Sequence, residues 1–154
     1  MMDRLVLDVM CGKLATYLRM CGYDAAYALA LPIGSDEGVP DDELLTYARD
    51  TGRRIVTRDR DLARRAEDAV LLKRRETEDQ LGELVAAGFE LSVDEEPSFC
   101  GACNGPLTGV SPEEPTPDYA PDPATVDVWH CQSCGQHFWK GSHWGDVVET
   151  IESL

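Results

Sequence analysis

The chain has 154 residues, with 14 Lys and Arg against 29 Asp and Glu and a formal charge of -15, which allows one compact core plus a small appended module but not two full-sized domains. No window holds the roughly eighteen uninterrupted apolar residues of a membrane helix, and the opening Met1-Met2-Asp3-Arg4-Leu5 lacks a basic region followed by a long apolar run, so a cytoplasmic protein with no membrane partner is expected. As a whole, so acidic a surface repels nucleic acid.

Leu5-Val6-Leu7 is a short apolar run ending at Asp8, the pattern of a buried strand whose carboxyl end emerges at an acid. Leu14, Leu18 and Cys21 recur at helical spacing before Gly22, predicting a helix over 13–21. The Pro- and Gly-rich stretch 31–40 reads as a loop. Asp41 then serves as N-cap of a helix with Leu44, Leu45 and Ala48 on its apolar face and Gly52 as its stop. Ile55-Val56-Thr57 is a second buried strand running into Asp59 and Asp61, and a helix with Leu62, Ala63 and Ala66 follows. After a third apolar run at 69–72, Thr77 and Gln80 form a capping box for a helix bearing Leu81, Leu84 and Val85 and closed by Gly88. Strands alternating with helices predict a parallel sheet, whose working groups gather at the carboxyl ends of its strands.

From Pro97 the texture changes to cysteine pairs, prolines and acids, until Trp144, Val147, Val148 and Ile151 mark a final amphipathic helix. The domain boundary therefore falls near residue 95, dividing 1–95 from 96–154, and the acidic, Pro-rich run from Ser111 to Pro123 reads as a mobile excursion. Cys100-Gly-Ala-Cys103 and Cys131-Gln-Ser-Cys134 are two C-x-x-C pairs. On tight turns that spacing aims four thiolates at one tetrahedral centre, predicting a closed, structural zinc site. Disulfides are the weaker alternative in a reducing compartment, and His130 or His137 standing in for a cysteine is weaker still. Cys11 and Cys21 read as small apolar core residues.

Carboxylates suit Mg²⁺ or Mn²⁺, and several converging at one sheet edge can hold an ion that activates water against a phosphodiester. Each aspartate taken singly is equally a helix cap or a first-turn acid. Charge is also segregated along the chain. Nine of the fourteen basic residues fall between 53 and 75, whereas 90–127 holds nine acids and no base. A dipolar molecule of this kind can still turn one positive face to phosphate, with an affinity that falls steeply with salt. The acidic surface, poor in lysine, also suits a salt-rich cytoplasm.

The segments Asp8-Val9-Met10-Cys11-Gly12-Lys13-Leu14-Ala15, Asp41-Asp42-Glu43-Leu44-Leu45, Thr57-Arg58-Asp59-Arg60-Asp61-Leu62-Ala63, the two C-x-x-C pairs and Trp139-Lys140-Gly141-Ser142-His143-Trp144, in this order, resemble the PIN-like RNase family named for the C-terminal domain of the mut-seven exonuclease. The resemblance covers nearly the whole chain. It implies an α/β fold, a PIN-like parallel sheet flanked by helices with a small C-terminal zinc ribbon, and metal-dependent hydrolysis of RNA. The family's metal-ligating acids carry over onto Asp8, Asp42, Asp59 and Asp61. Asp42 is preferred to Asp41 because the family places that acid two residues before the paired leucines. Lys13, Arg58, Arg60 and His143 are the candidate contacts to substrate. Cys11 and Thr16 depart from the family pattern, where aliphatic and basic residues are usual, and the further acid of many PIN domains has only Asp24, Asp36 and Glu37 as candidates.

The last of these segments admits two accounts. Ser142 caps the final helix while Trp139 and Trp144 pin the ribbon to the core, or His143 and Lys140 contact phosphate while the tryptophans stack on bases. For the whole chain, the alternative to a nuclease is a non-catalytic RNA- or protein-binding module that keeps the same fold and ribbon. A dinucleotide-binding protein is disfavoured because no G-x-G-x-x-G follows either strand, and a serine or cysteine hydrolase because no nucleophile elbow appears.

Overall fold

A computed structural model describes residues 3–154; Met1 and Met2, part of the segment read as carrying no leader, lie outside the described residues. The α/β part is a four-stranded parallel sheet of order β2-β1-β3-β4, built from β1 (Leu5–Leu7), β2 (Ala25–Tyr27), β3 (Arg54–Thr57) and β4 (Ala69–Leu71). Leu5, Val6 and Leu7 are all fully buried because helices cover both faces, which is why this strand reads as an unbroken apolar run. On one face Leu5, Leu7 and Val56 pack with Leu14 and Leu18 of α1 (Gly12–Met20), Leu81 and Leu84 of α4 (Thr77–Ala86), and Val147 and Ile151 of α5 (Ser142–Glu152). On the other, Val6 and Ile55 meet Leu44 and Ala48 of α2 (Asp41–Thr51) and Leu62 of α3 (Arg60–Arg65). The alternation of 5 and 7 against 6, and of 55 against 56, is the two-residue period of the pleat.

Several local expectations shift by one residue. Helix α2 starts at Asp41 itself, with Pro40 in the N-cap position, so Asp41 is a first-turn acid and not the cap. Likewise Glu76 precedes α4 and Thr77 is its first residue, so the expected capping box does not form; Gln80 is buried and donates from Nε2 to the Arg74 carbonyl, 2.9 Å away. Gly141, not Ser142, precedes α5. In each case the hydroxyl or carboxylate sits one residue inside the helix, where it cannot reach back to the free N–H groups of the first turn as an N-cap oxygen does. Val85, expected on the apolar face of α4, is exposed. Strand β2 was not foreseen: Ala25-Ala26-Tyr27 is too short and too alanine-rich to signal a strand, and it is held by pairing with β1.

The ribbon is a separate antiparallel sheet of β5 (Leu107–Gly109), β6 (Val128–Cys131) and β7 (His137–Trp139), in that order. The excursion between β5 and β6 contains no regular element and is tied back where the His137 amide donates to the Tyr119 hydroxyl at 3.1 Å. The first cysteine knuckle docks on the sheet. Arg19 donates from Nε to the Ala25 carbonyl and from Nη1 to the Gly101 carbonyl, at 2.8 and 3.0 Å, and Thr16 adds a bond to the same Gly101 oxygen. Asn104 accepts the Ala25 amide on the open edge of β2 and donates to Asp24. No described helix is long and apolar enough to cross a membrane.

Candidate functional site

The chain runs from β1 through α1 to β2 on one side, then crosses back through α2 to β3 on the other, so the strand order reverses between β1 and β3. In open parallel sheets that reversal leaves a crevice at the carboxyl ends of the two strands. Asp8 follows β1 and Asp59 follows β3 at this place.

Asp8 is nearly buried at 9 % exposure. Its Oδ1 accepts the Val9 amide at 2.7 Å, capping the short 3-10 turn Val9–Cys11 that leads into α1, and its Oδ2 accepts the Thr57 hydroxyl at 2.7 Å. The same Thr57 oxygen accepts the Asp59 amide at 3.0 Å. A single buried hydroxyl therefore ties the carboxylate of one central strand to the main chain of the next. Asp59 is the N-cap of α3, its Oδ1 accepting the amides of Asp61 and Leu62. Asp41 lies in the first turn of α2: burial pushes its carboxyl up, and the Asp59, Asp8 and Asp42 carboxylates add to this, against the lowering influence of Arg65.

The other two expected acids face arginines. The Asp42 side chain is 84 % exposed and pairs with Arg65, and that of Asp61 is 75 % exposed and pairs with Arg64. Arg65 also reaches Asp41 at 3.8 Å. Of the nine cations between residues 53 and 75, four are paired internally, since Arg53 and Arg54 also pair, with Asp24, Asp3 and Asp68 at the opposite, amino end of the strands. Arg58 differs: its Nε is buried with no hydrogen-bond partner among the described residues. Asp24, a candidate for a further acid, lies before β2 at that amino end. Burial pushes its carboxyl up, but hydrogen bonds from Arg53 and Asn104 outweigh this and leave it below the usual carboxylate range.

Thr57 belongs to the Thr57-Arg58-Asp59 motif but is not among the acids and cations that the sequence points to. Its signal was a hydroxyl residue ending an otherwise apolar strand, two positions before an acid. Gly12 carries a similar hidden constraint, because a Cβ there would stand 3.0 Å from the Tyr27 ring, whose hydroxyl donates to the Val9 carbonyl beside Asp8.

Among the described residues, the only group of three or more potential ligands with ligating atoms within 4.8 Å of one another is Cys100, Cys103, Cys131 and Cys134. No disulfide joins them, and the Sγ atoms of Cys100 and Cys134 lie 3.7 Å apart, those of Cys103 and Cys131 3.5 Å. Amides of Gly105, Ser133 and Cys134 point at sulfur, as the knuckles of a four-cysteine zinc site require. Gly105 is needed there, since its Cβ would meet the Cys131 sulfur at 2.9 Å. Cys11 and Cys21 are buried, and burial first of all pushes their thiols up to about 11 and about 12, as befits inert core residues.

No curated protein and no solved structure matches the chain. The model of one family, the Mut7-C RNAse domain, matches residues 3–151, and with the parallel α/β sheet, the acids at its reversal point and the four-cysteine cluster already in place, the chain belongs to that family.

Proposed function

We propose that this protein is a divalent-metal-dependent ribonuclease acting in the cytoplasm, with its centre at Asp8, Asp59 and the acids that open α2 and α3. The observation that carries the reading is the Thr57 hydroxyl, which fixes Asp8 against Asp59 at the carboxyl ends of the two central strands. The donor type suits a hard cation: Asp59 Oδ1 is taken up by amides while Oδ2 has no such partner, Asp41 is crowded by like charge, and a cation would draw together carboxylates of which, among the described residues, no three have their oxygens within 4.8 Å of one another. When bound, Mg²⁺ or Mn²⁺ supplies an activated water and neutralises charge on a phosphodiester oxygen. Thr57 holds the Asp8 carboxylate in one orientation, and Arg58, with Lys13 and Arg60, offers cationic groups to the RNA backbone. Asp41 is the better ligand from α2, because it is less exposed and its carboxyl feels the Asp59 and Asp8 carboxylates, whereas Asp42 and Asp61 stand in solvent with Arg65 and Arg64. Zinc held by the four cysteines is structural. The chain divides near residue 95 into the nuclease unit 1–95 and the ribbon unit 96–154, whose last helix packs back onto the sheet.

The pairing of Asp42 and Asp61 with arginines also favours a second reading, a non-catalytic RNA-binding module. Asp59→Asn separates the two, because asparagine caps a helix as well as aspartate does and the fold should persist. Metal-dependent cleavage of labelled RNA by this variant should fall by more than the roughly 10–100-fold that outer-shell changes cost. Undiminished cleavage by the variant would remove the nuclease reading. Binding without cleavage by the unaltered protein at every Mg²⁺ and Mn²⁺ concentration would favour the module.

A further inference from the structure

All three tryptophans of the chain line one cleft. It has a volume of about 410 Å³ and opens where the ribbon meets α1, with Trp129, Phe138, Trp139 and Trp144 as its aromatic walls and Thr16 and Met20 from α1 on its other side. That volume lies within the range of small-ligand sites, roughly 300–1,000 Å³. The four aromatic residues are only half buried, so ring faces remain open to an incoming group. Lys140 is the single Lys or Arg after Arg75, and in this otherwise acidic half its Nζ stands 5.3 Å from the Trp144 ring centroid and 6.0 Å from that of Trp129. His137 also lines the cleft and has a buried Nδ1 with no hydrogen-bond partner among the described residues.

From this arrangement we infer that the cleft is a base-binding subsite for single-stranded RNA, separate from the acidic centre and joined to it along α1. Flat, half-open rings beside one cation match an unstacked base with its phosphate, since every base offers a π-face and its backbone a negative charge. Duplex RNA, with its bases already stacked and paired, has nothing to insert. Helix α1 gives the spacing. Asp8 caps the turn that leads into it, Lys13, Thr16 and Met20 lie at i, i+3 and i+7 on one face, and at about 1.5 Å per residue Thr16 and Met20 are roughly 6 and 12 Å beyond Gly12. A strand crossing the acidic centre therefore reaches the cleft within a few nucleotides, past Lys13. His143 is also in the lining and so belongs with this subsite.

The inference rests on the RNA-directed reading above, and one pair of measurements keeps the two apart. Because every tryptophan is in the cleft, intrinsic emission reports its occupation directly. The full-length Asp59→Asn protein, zinc-replete and free of Mn²⁺, is titrated with an unstructured RNA octamer and with the same octamer annealed to its complement, while the unaltered protein is assayed for Mn²⁺-dependent cleavage. The single strand should quench tryptophan emission and the duplex should not. Trp139→Leu should weaken octamer binding by about 5- to 150-fold, the loss of one stacked base, and Lys140→Gln should lower the slope of log affinity against log salt by about one. Octamer binding with unchanged emission, equal quenching by the duplex, or parent-like binding in both variants overturns the subsite; if Trp139→Leu does not fold, Lys140→Gln decides. Quenching without cleavage removes the nuclease reading and leaves the subsite, whereas cleavage without quenching does the reverse.

Discussion

Replacing Thr57 by valine keeps the volume of a fully buried side chain and deletes only its hydroxyl. Two interactions disappear together: the 2.7 Å donation to the Asp8 carboxylate and the 3.0 Å acceptance of the Asp59 amide. A hydrogen bond to a charged group contributes about 1.5–3 kcal/mol, and an orphaned amide costs roughly 1–3 kcal/mol, so with partial relaxation the variant should lose about 2–4 kcal/mol. For a chain of this size each kcal/mol lowers Tm by roughly 2–4 °C, giving a fall of about 5–15 °C in thermal unfolding with zinc saturating. The larger consequence is functional. An Asp8 held only through Oδ1 by the Val9 amide should raise the Mn²⁺ concentration needed for half-maximal RNA cleavage by about 10–100-fold, the usual cost of losing a group that orients a ligand. Thr57→Ser keeps the hydroxyl and should restore the metal requirement while melting slightly below the parent for its lost methyl. Thr57→Val melting within about 1 kcal/mol of the parent and cleaving at the parent's Mn²⁺ concentration would refute the view that this hydroxyl joins Asp8 to Asp59.

Two further outcomes follow from the same geometry. Asp24 has its folded carboxyl pKa held below the unfolded value by Arg53 and Asn104, so the stability it contributes is complete above the unfolded pKa and is lost as pH falls through the folded one. The stability deficit of Asp24→Asn against the parent, measured by urea unfolding, should therefore be full at neutral pH and shrink below about pH 4; a deficit that grows with acidification would contradict the assignment. Stripping zinc with a chelator, or changing Cys131 to Ser, should unfold the ribbon and release Gly101 and Asn104 from α1 and β2. Near-ultraviolet dichroism of the tryptophans would then collapse, while one zinc per parent chain should be found by metal analysis.

The cysteine pairs and the buried strands are legible from short spacing alone, although the helix caps at Asp41, Thr77 and Ser142 are not. Two C-x-x-C pairs already define a four-thiolate cluster, because each pair is a local turn. Unbroken apolar runs at Leu5–Leu7 and Ile55–Val56 already declare strands covered on both faces, because no other common strand setting leaves out the polar alternation. Tertiary structure decided which neighbours the long-range fold supplies. Strand β2 exists through its pairing with β1, not through the propensity of Ala25 and Ala26. Asp41 and Asp42 are adjacent in sequence, yet about 100° of helical rotation separates them, so Asp41 is the less exposed of the two and feels the Asp59 and Asp8 carboxylates while Asp42 stands in solvent with Arg65; no motif fixes that angle without the packing of α2 on the sheet. The basic run 53–75 looks like one RNA-binding face until folding pairs Arg53 with Asp24, Arg54 with Asp3 and Asp68, and Arg65 with Asp41 and Asp42, acids from other segments, while Arg64 pairs within its own helix with Asp61. Charge density along a chain is a local property, but which charges remain free is settled only when all the partners are in place.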